Sequence, residues 1–142
     1  ERLEQVSPGS LMNDIDAAKH CLTWKLLQLR KQTPQLFTQG NYMPLQVEGD
    51  KSEYLLAYAL VHEEHACVVV FPHWCARLMN GQMELPVGEK TWGSLDIALP
   101  LPGSFKDVFT GAAFEHSDDA ENRKLRVSDV LGQFPLAVLV SA

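Results

Sequence analysis

Residues 54–71 read YLLAYALV, HEEH and ACVVVF, which are two apolar runs on either side of a four-residue polar segment. β-Branched and aromatic side chains favour strands, and a loop of this length joins two strands as an antiparallel hairpin. Neither run alternates polar with apolar residues, which indicates that both faces of the hairpin are buried. We therefore predict that the hairpin is central, either in the middle of a sandwich or between a sheet and a helix.

A long helix is predicted ahead of the hairpin, over residues 13–32, and Pro34 stops it. Its apolar residues recur every three or four positions and form a stripe, and a second apolar side lies nearly opposite. The stripe consists of Leu11, Ile15, Ala18, Leu22, Leu26 and Leu29, and the second side of Ala17, Cys21, Trp24 and Leu27. A helix with two apolar sides is usually buried on both. The alternative is that Trp24 lies flat over polar neighbours.

Short strands separated by Gly and Pro turns are predicted for most of the remaining chain. Besides the hairpin they are residues 42–47, which Pro44 restricts to a sheet edge, 91–101, 105–114 with Gly111 as a bulge or bend, and 136–140. Single helical turns are expected at residues 34–40 and 128–132. The pattern predicts a mainly β fold, with an antiparallel β-sandwich over residues 41–142 after a helical segment over residues 1–40.

Composition narrows the class of protein. The chain has 142 residues, which suits one domain, and its net charge of -6 argues against nucleic acid or an anionic membrane as a partner. No apolar run approaches the roughly 20 residues of a membrane span. Cys21, Cys67 and Cys75 form no CxxC motif, so we expect reduced thiols in a cytoplasmic protein. The chain begins at Glu1 without Met, and we expect it to be part of a longer protein.

Two histidine-containing segments are candidates for a metal site. His62 and His65 have HxxH spacing at a hairpin tip, whereas the zinc protease motif requires HExxH on a helix. His73 and Cys75 form a two-ligand fragment with no partner pair. We therefore predict no metal site.

Carboxylates and tryptophans are the remaining candidates for chemistry. Asp118, Asp119 and Glu121 lie in a polar segment that is typical of a solvated loop, so we predict no catalytic residue in this chain. Trp74 and Trp92 are the candidates for contact with a sugar, because exposed aromatic rings with a polar handle stack on sugar rings. The alternative for each ring is a place in the core or at an interface.

Residues 29–49 read LRKQTPQLFTQGNYMPLQVEG. This segment resembles the start of the C-terminal region of maltooligosyltrehalose synthase, a family related to the α-amylases, whose pattern is LRxxxPxLFxxGxYxPLxVxG. Later segments are similar to the family in the same order, namely residues 54–59, 68–72, 91–92, 99–100, 107–111 and 131–139. The resemblance covers roughly residues 13–140.

The resemblance implies a cytoplasmic parent enzyme of trehalose biosynthesis that uses no cofactor. That enzyme, an isomerase, converts the reducing-end α-1,4 linkage of a maltooligosaccharide into an α,α-1,1 linkage by intramolecular transglucosylation. Its catalytic carboxylates lie on a (β/α)8 barrel upstream of the region matched here, so no catalytic residue can be assigned to this chain. The helix over residues 13–32 would be the last barrel helix or its continuation, with one side on the sandwich and the other on the barrel.

These observations predict the non-catalytic C-terminal domain of a maltooligosyltrehalose synthase. Its expected partners are the parent's own barrel and, through the parent, the maltooligosaccharide substrate; the fragment alone is expected to form a homodimer through its helix. A free-standing carbohydrate-binding module is the alternative, which an exposed coplanar pair of tryptophans would favour. A protein-interaction domain of unrelated ancestry is the third hypothesis.

Overall fold

The structure is a computed structural model that describes residues 15–73, 78, 80–81, 86–99, 101, 103–115 and 124–141. Its helices are α1 (Ile15–Gln32), α2 (Pro34–Thr38), α3 (Gly88–Trp92) and α4 (Val127–Val130), and a 3-10 turn covers Ser52–Tyr54. Its strands are β1 (Asn41–Pro44), β2 (Val47–Glu48), β3 (Leu55–His62), β4 (His65–Pro72), β5 (Asp96–Ala98), β6 (Ser104–Asp107), β7 (Ala113–Glu115), β8 (Lys124–Arg126) and β9 (Ala137–Ser141). The prediction of a mainly β protein is confirmed.

The strands form two sheets in which every neighbouring pair is antiparallel. The larger sheet has six strands in the order β1-β3-β4-β9-β6-β7, and the smaller has three in the order β2-β5-β8. The chain passes from one sheet to the other just after Pro44, where the amide of Leu45 still bonds the carbonyl of Ala57 in the larger sheet. The edge position predicted for residues 42–47 is confirmed for β1, but the segment is not one strand, because Val47 belongs to β2 in the smaller sheet.

The hairpin of β3 and β4 lies inside the larger sheet, as predicted. Its register runs from Leu55 opposite Pro72 to His62 opposite His65. The tip contains only Glu63 and Glu64, so the predicted four-residue tip is corrected to two residues. A two-residue connection needs a positive backbone angle, and Glu63 supplies it with φ of 55°.

Both faces of the hairpin are covered, but by different elements. Ala59 and Val68 lie opposite each other and belong to a core that also contains Ile97 of the smaller sheet. Cys67 and Val69 point to the other face and pack in a cluster with residues of α1. Successive side chains of a strand point to opposite faces of the sheet. One face of the hairpin therefore packs against the smaller sheet and the other against α1.

The division of α1 into two opposite apolar sides is wrong. Ala17 and Cys21 pack in the same cluster as Leu22 and Leu29 of the stripe, and Cys21 is only 1% exposed. The apolar stripe of a surface helix is at least about 100° wide, so one sheet face can bury residues that the sequence assigned to separate sides. Leu27, which the sequence placed on the second side, is exposed.

Two strand predictions also require correction. The strand predicted over residues 91–101 is wrong in part, because the segment begins with the end of α3 and, among its described residues, only those of β5 form a strand. Residues 105–114 form two strands, β6 and β7, joined by a turn in which Gly111 has φ of 76°. In both places a glycine with positive φ, Gly93 after α3 and Gly111 in the turn, reverses the chain. The predicted helical turn near residue 128 and the final strand are confirmed as α4 and β9.

Candidate functional site

An open groove of about 370 Å³ lies between α1 and the larger sheet. Its floor is formed by Cys67, Val69 and Val138, and Val69 is directly opposite Val138 in the ladder. Leu26 and Leu27 of α1 form one wall. The groove exists because a helix is about 10–12 Å across, whereas six strands about 4.8 Å apart make a much wider face.

Exposed apolar side chains occur in this groove and on the sheet face that forms its floor. Among the described residues, the exposed large hydrophobics are Leu27 at 58%, Tyr42 at 65% and Leu56 at 44%. Leu27 lines the groove itself, and the ring of Tyr42 is 5.2 Å from that of Tyr58, which also lines it. Leu56 precedes Tyr58 by two residues on β3 and therefore lies on the same face. We call these three residues together with the groove the groove surface.

The titratable groups of the groove are mostly uncharged. Burial raises the pKa of Cys67 to about 12, so its thiol stays protonated near neutral pH. Burial also raises the pKa of Tyr58, and the charges that Cys67 and Tyr42 would acquire at high pH add to this effect. The guanidinium of Arg30 is the cation at the rim, and it is exposed and forms no ion pair with another described residue.

The opposite flank of α1 has a different character. A groove of about 290 Å³ there is lined by apolar side chains, Trp24, Leu29, Val108 and Val140, and by the polar side chains of Lys25, Gln28 and Gln32. Lys25 fixes this flank to the sheet, since its Nζ donates to the carbonyl oxygens of Val108 and Phe109 at 3.2 and 3.3 Å. Trp24 is half-buried rather than exposed. The apolar surface left open by the fold is therefore concentrated on the Leu27 flank.

Of the two tryptophans predicted to contact a sugar, Trp92 is described by the structure. Trp92 is a core residue at the end of α3, 2% exposed, and its indole nitrogen donates to the carbonyl of Pro86 at 2.8 Å. The ring therefore offers no exposed face on which a sugar could stack. Trp74 lies outside the described residues.

Four of the candidate catalytic or metal-binding residues lie outside the described residues, namely Cys75, Asp118, Asp119 and Glu121. His62 and His65 form a pair beside the hairpin turn, next to the end of α1. In the part of the chain that the structure describes, no three His, Cys, Asp or Glu side chains are grouped as metal ligands.

Asp107 is a buried carboxylate with a structural role. Its Oδ1 accepts a hydrogen bond from the amide of Phe109 at 2.9 Å, and its Oδ2 accepts one from the hydroxyl of Thr110 at 3.0 Å. Burial raises the pKa of Asp107, and these hydrogen bonds partly offset the rise. The side chain thus closes the turn between β6 and β7.

Sequence reasoning missed the groove surface. The sequence places Tyr42 in an edge strand, Tyr58 in the central hairpin and Arg30 near the end of the long helix, without bringing them together. A signal was present, since the alternation of β3 places Leu56, Tyr58 and Leu60 on one face. The register that brings Tyr42 beside Tyr58 comes only from the pairing of β1 with β3.

Comparison of the chain with protein-family models, curated proteins and solved structures finds no match. Among the described residues, no helix is both long and apolar enough to cross a membrane.

Proposed function

We propose that this chain is the non-catalytic C-terminal domain of a maltooligosyltrehalose synthase, a cytoplasmic enzyme of trehalose biosynthesis. The observation that carries the proposal is the pattern over residues 29–49, in which each position that the family pattern specifies holds the specified residue. The domain steadies the parent's (β/α)8 barrel, which supplies the catalytic carboxylates. It folds as a β-sandwich after the last barrel helix.

The structural roles of the patterned residues support this proposal. A Cβ atom on Gly40 would lie 2.1 Å from the carbonyl oxygen of Leu36, so glycine is needed where α2 leads into β1. Gly49 has φ of 137°, and a Cβ atom there would lie 2.7 Å from the side chain of Leu95. Leu36 and Leu45 are both buried. The pattern therefore describes the steric requirements of the connection from α1 through both sheets.

The open apolar surface beside α1 also supports a larger parent protein. Burying apolar surface is worth about 25 cal/mol per Å², and a contiguous exposed patch of several hundred Å² usually marks a contact with another surface. In the parent, the barrel would cover what the sheet leaves open. The buried position of Trp92 gives no support to a free-standing sugar-binding module built on that ring.

The test uses the intact product of the source gene. Incubated with maltopentaose, it should remove reducing ends and form a trehalosyl product without added cofactor, whereas the 142-residue chain alone should form none. The chain alone lacks the barrel carboxylates that glycosyl transfer requires. An intact product without this activity, or a clean preparation of the 142-residue chain that makes the trehalosyl product, would refute the proposal.

A further inference from the structure

We propose that His62 and His65 bind one late first-row divalent cation, of the class that contains Ni²⁺, Cu²⁺ and Zn²⁺, at the tip of the β3–β4 hairpin. The inference goes beyond the proposed function and does not depend on it. Imidazole nitrogen is a ligand that these cations prefer, whereas Mg²⁺ and Ca²⁺ prefer oxygen ligands. The site is therefore expected to distinguish the two classes of cation.

The register of the hairpin is the first reason. In the four-residue tip that the sequence predicts, both histidines belong to the turn and their HxxH spacing fixes no ligand geometry. The structure shortens the tip to Glu63 and Glu64, so that His62 lies directly opposite His65 as the last pair of the ladder. Directly opposite side chains share a face, and their Cβ atoms are about 4.5–5.5 Å apart. Two imidazoles at this spacing can reach one ion, since each metal–nitrogen bond is about 2.0–2.1 Å long.

Both histidines lie on the α1 face of the larger sheet, beside α2. His62 follows Leu60 by two residues on β3, and Leu60 packs in the cluster that contains residues of α1. His65 likewise precedes Cys67 of that cluster by two residues on β4. There the two histidines line one cavity of about 120 Å³, together with residues 32–36. The far wall of this cavity is held in place, because α2 packs against β3 and β4 with Leu36 buried.

The ring nitrogens of this pair are available as ligands. Neither ring makes a hydrogen bond or an ion pair with another residue that the structure describes. The ring of His73 differs, because its Nε2 is within hydrogen-bonding distance of the carbonyl oxygen of Glu53. His62 is half-buried and His65 is exposed, so an ion can reach the pair from solvent.

The other groups around the pair offer oxygen atoms. Within the described ranges of the chain, no third His, Cys, Asp or Glu side chain joins the two histidines as a metal ligand. Water and the amide oxygens of Gln32 and Gln35, which line the same cavity, are left to complete the coordination. The carboxylates of Glu63 and Glu64 in the turn attract a cation to this place. The site is thus a two-histidine chelate that is open to solvent, which predicts reversible binding.

Isothermal titration calorimetry with Ni²⁺, and separately with Zn²⁺, tests the proposal on the 142-residue chain. Every protein carries Cys75→Ser, because a thiolate at that position could bind the metal together with His73. The test variants are His62→Gln and His65→Gln. The matched controls are His20→Gln on α1 and His73→Gln, which remove one histidine each from outside the pair. Circular dichroism establishes that each variant is folded.

The chain should bind one Ni²⁺, and either test variant should weaken this binding at least about tenfold, because the second imidazole binds intramolecularly once the first is bound. The controls should bind as the unsubstituted pair does, and excess Mg²⁺ should not compete. Unchanged binding in both test variants, or an equal loss in a control, would overturn the proposal.

A second measurement does not depend on the variants. In a Zn²⁺ titration followed by long-range ¹H–¹⁵N correlation of the histidine rings, the ring nitrogens of His62 and His65 should shift together and before those of the other histidines. A Zn²⁺ response at one ring of the pair alone, or at neither ring, would show that the pair is a solvated turn and no chelate.

Discussion

The two faces of the larger sheet are covered to very different degrees. On the face toward the smaller sheet, Ala59, Val68 and Val70 lie in a closed core with no exposed surface on any of them. On the face toward α1, Val69 and Tyr58 remain partly exposed along the groove. A single helix cannot cover six strands, whereas a second sheet can.

The apolar residues of the hairpin therefore contribute in two different ways, depending on the face to which they point. Burial against the smaller sheet is complete within the chain and contributes to its own stability. Burial against α1 is incomplete, and the remaining area is available to a partner. Adjacent residues of one strand therefore have different roles, and substituting each of them tests whether the two faces differ in this way.

The largest effect is expected from a charge placed on the closed face. Val68→Asp should unfold the chain, because an unpaired carboxylate in a closed core costs several kcal/mol, comparable with the whole stability of a small domain. Val69→Asp should destabilise it less, since the groove admits water to the new carboxylate. Urea unfolding followed by circular dichroism measures both.

The pair is matched, because the two variants differ by one position on the same strand. If Val69→Asp unfolds the chain as completely as Val68→Asp, the groove is closed in solution and the distinction between the two faces fails. If both variants remain folded, the hairpin is not central.

The sequence was sufficient for the hairpin, because its length and composition leave few alternatives to a buried pair of strands. It could not distinguish Val68 from Val69, because both are valine in an uninterrupted apolar run and only the register with β9 assigns each to a face. The same limit applies to α1, where the periodicity places Cys21 on the side opposite the leucine stripe. Helical periodicity gives the direction of each side chain around the helix axis, but not how wide a surface the helix packs against.

The short connections were less predictable than the long elements. Residues 91–101 alternate in part between apolar and polar residues, which is typical of a strand, but Thr91 and Trp92 belong to α3. A helix of five residues is too short for its periodicity to be recognised in the sequence. The groove surface was missed for a related reason, since it is built from α1, β1 and β3, which are separated in the chain. Only the tertiary arrangement brings Arg30, Tyr42 and Leu56 to one surface.

A second variant pair examines the edge of the α1 face. Asp107 holds the turn that presents Val108 and Phe109 beneath α1, so its loss should loosen this face and leave the core between the sheets intact. Asp107→Ala should cost about 1–3 kcal/mol at neutral pH, because the amide of Phe109 loses its acceptor in a buried site. Asp107→Asn should cost less, since its amide oxygen can still accept that bond.

The pH dependence of this pair follows from the raised pKa of Asp107. Between the ordinary pKa of an aspartate and the raised value, the folded state keeps a proton that the unfolded state has lost. The contribution of Asp107 to stability is therefore greatest at low pH and falls as the pH rises through this window. Asp107→Asn has no such loss, so its free energy of unfolding relative to the wild type should improve from pH 3.5 to pH 7. A difference that moves in the opposite direction would show that the hydrogen bonds outweigh burial.

The smallest effect is expected at the hairpin turn, which belongs to neither face. Glu63 has φ of 55°, a left-handed conformation that is unfavourable for a residue with a Cβ atom, whereas Glu64 has no positive φ. Glu63→Gly should therefore stabilise the chain by about 0.5–1 kcal/mol, after the greater flexibility of glycine in the unfolded state is taken into account. Glu64→Gly introduces the same flexibility without relieving the backbone and should destabilise by a similar amount. Opposite signs in urea unfolding would confirm the two-residue turn, and equal signs would contradict it.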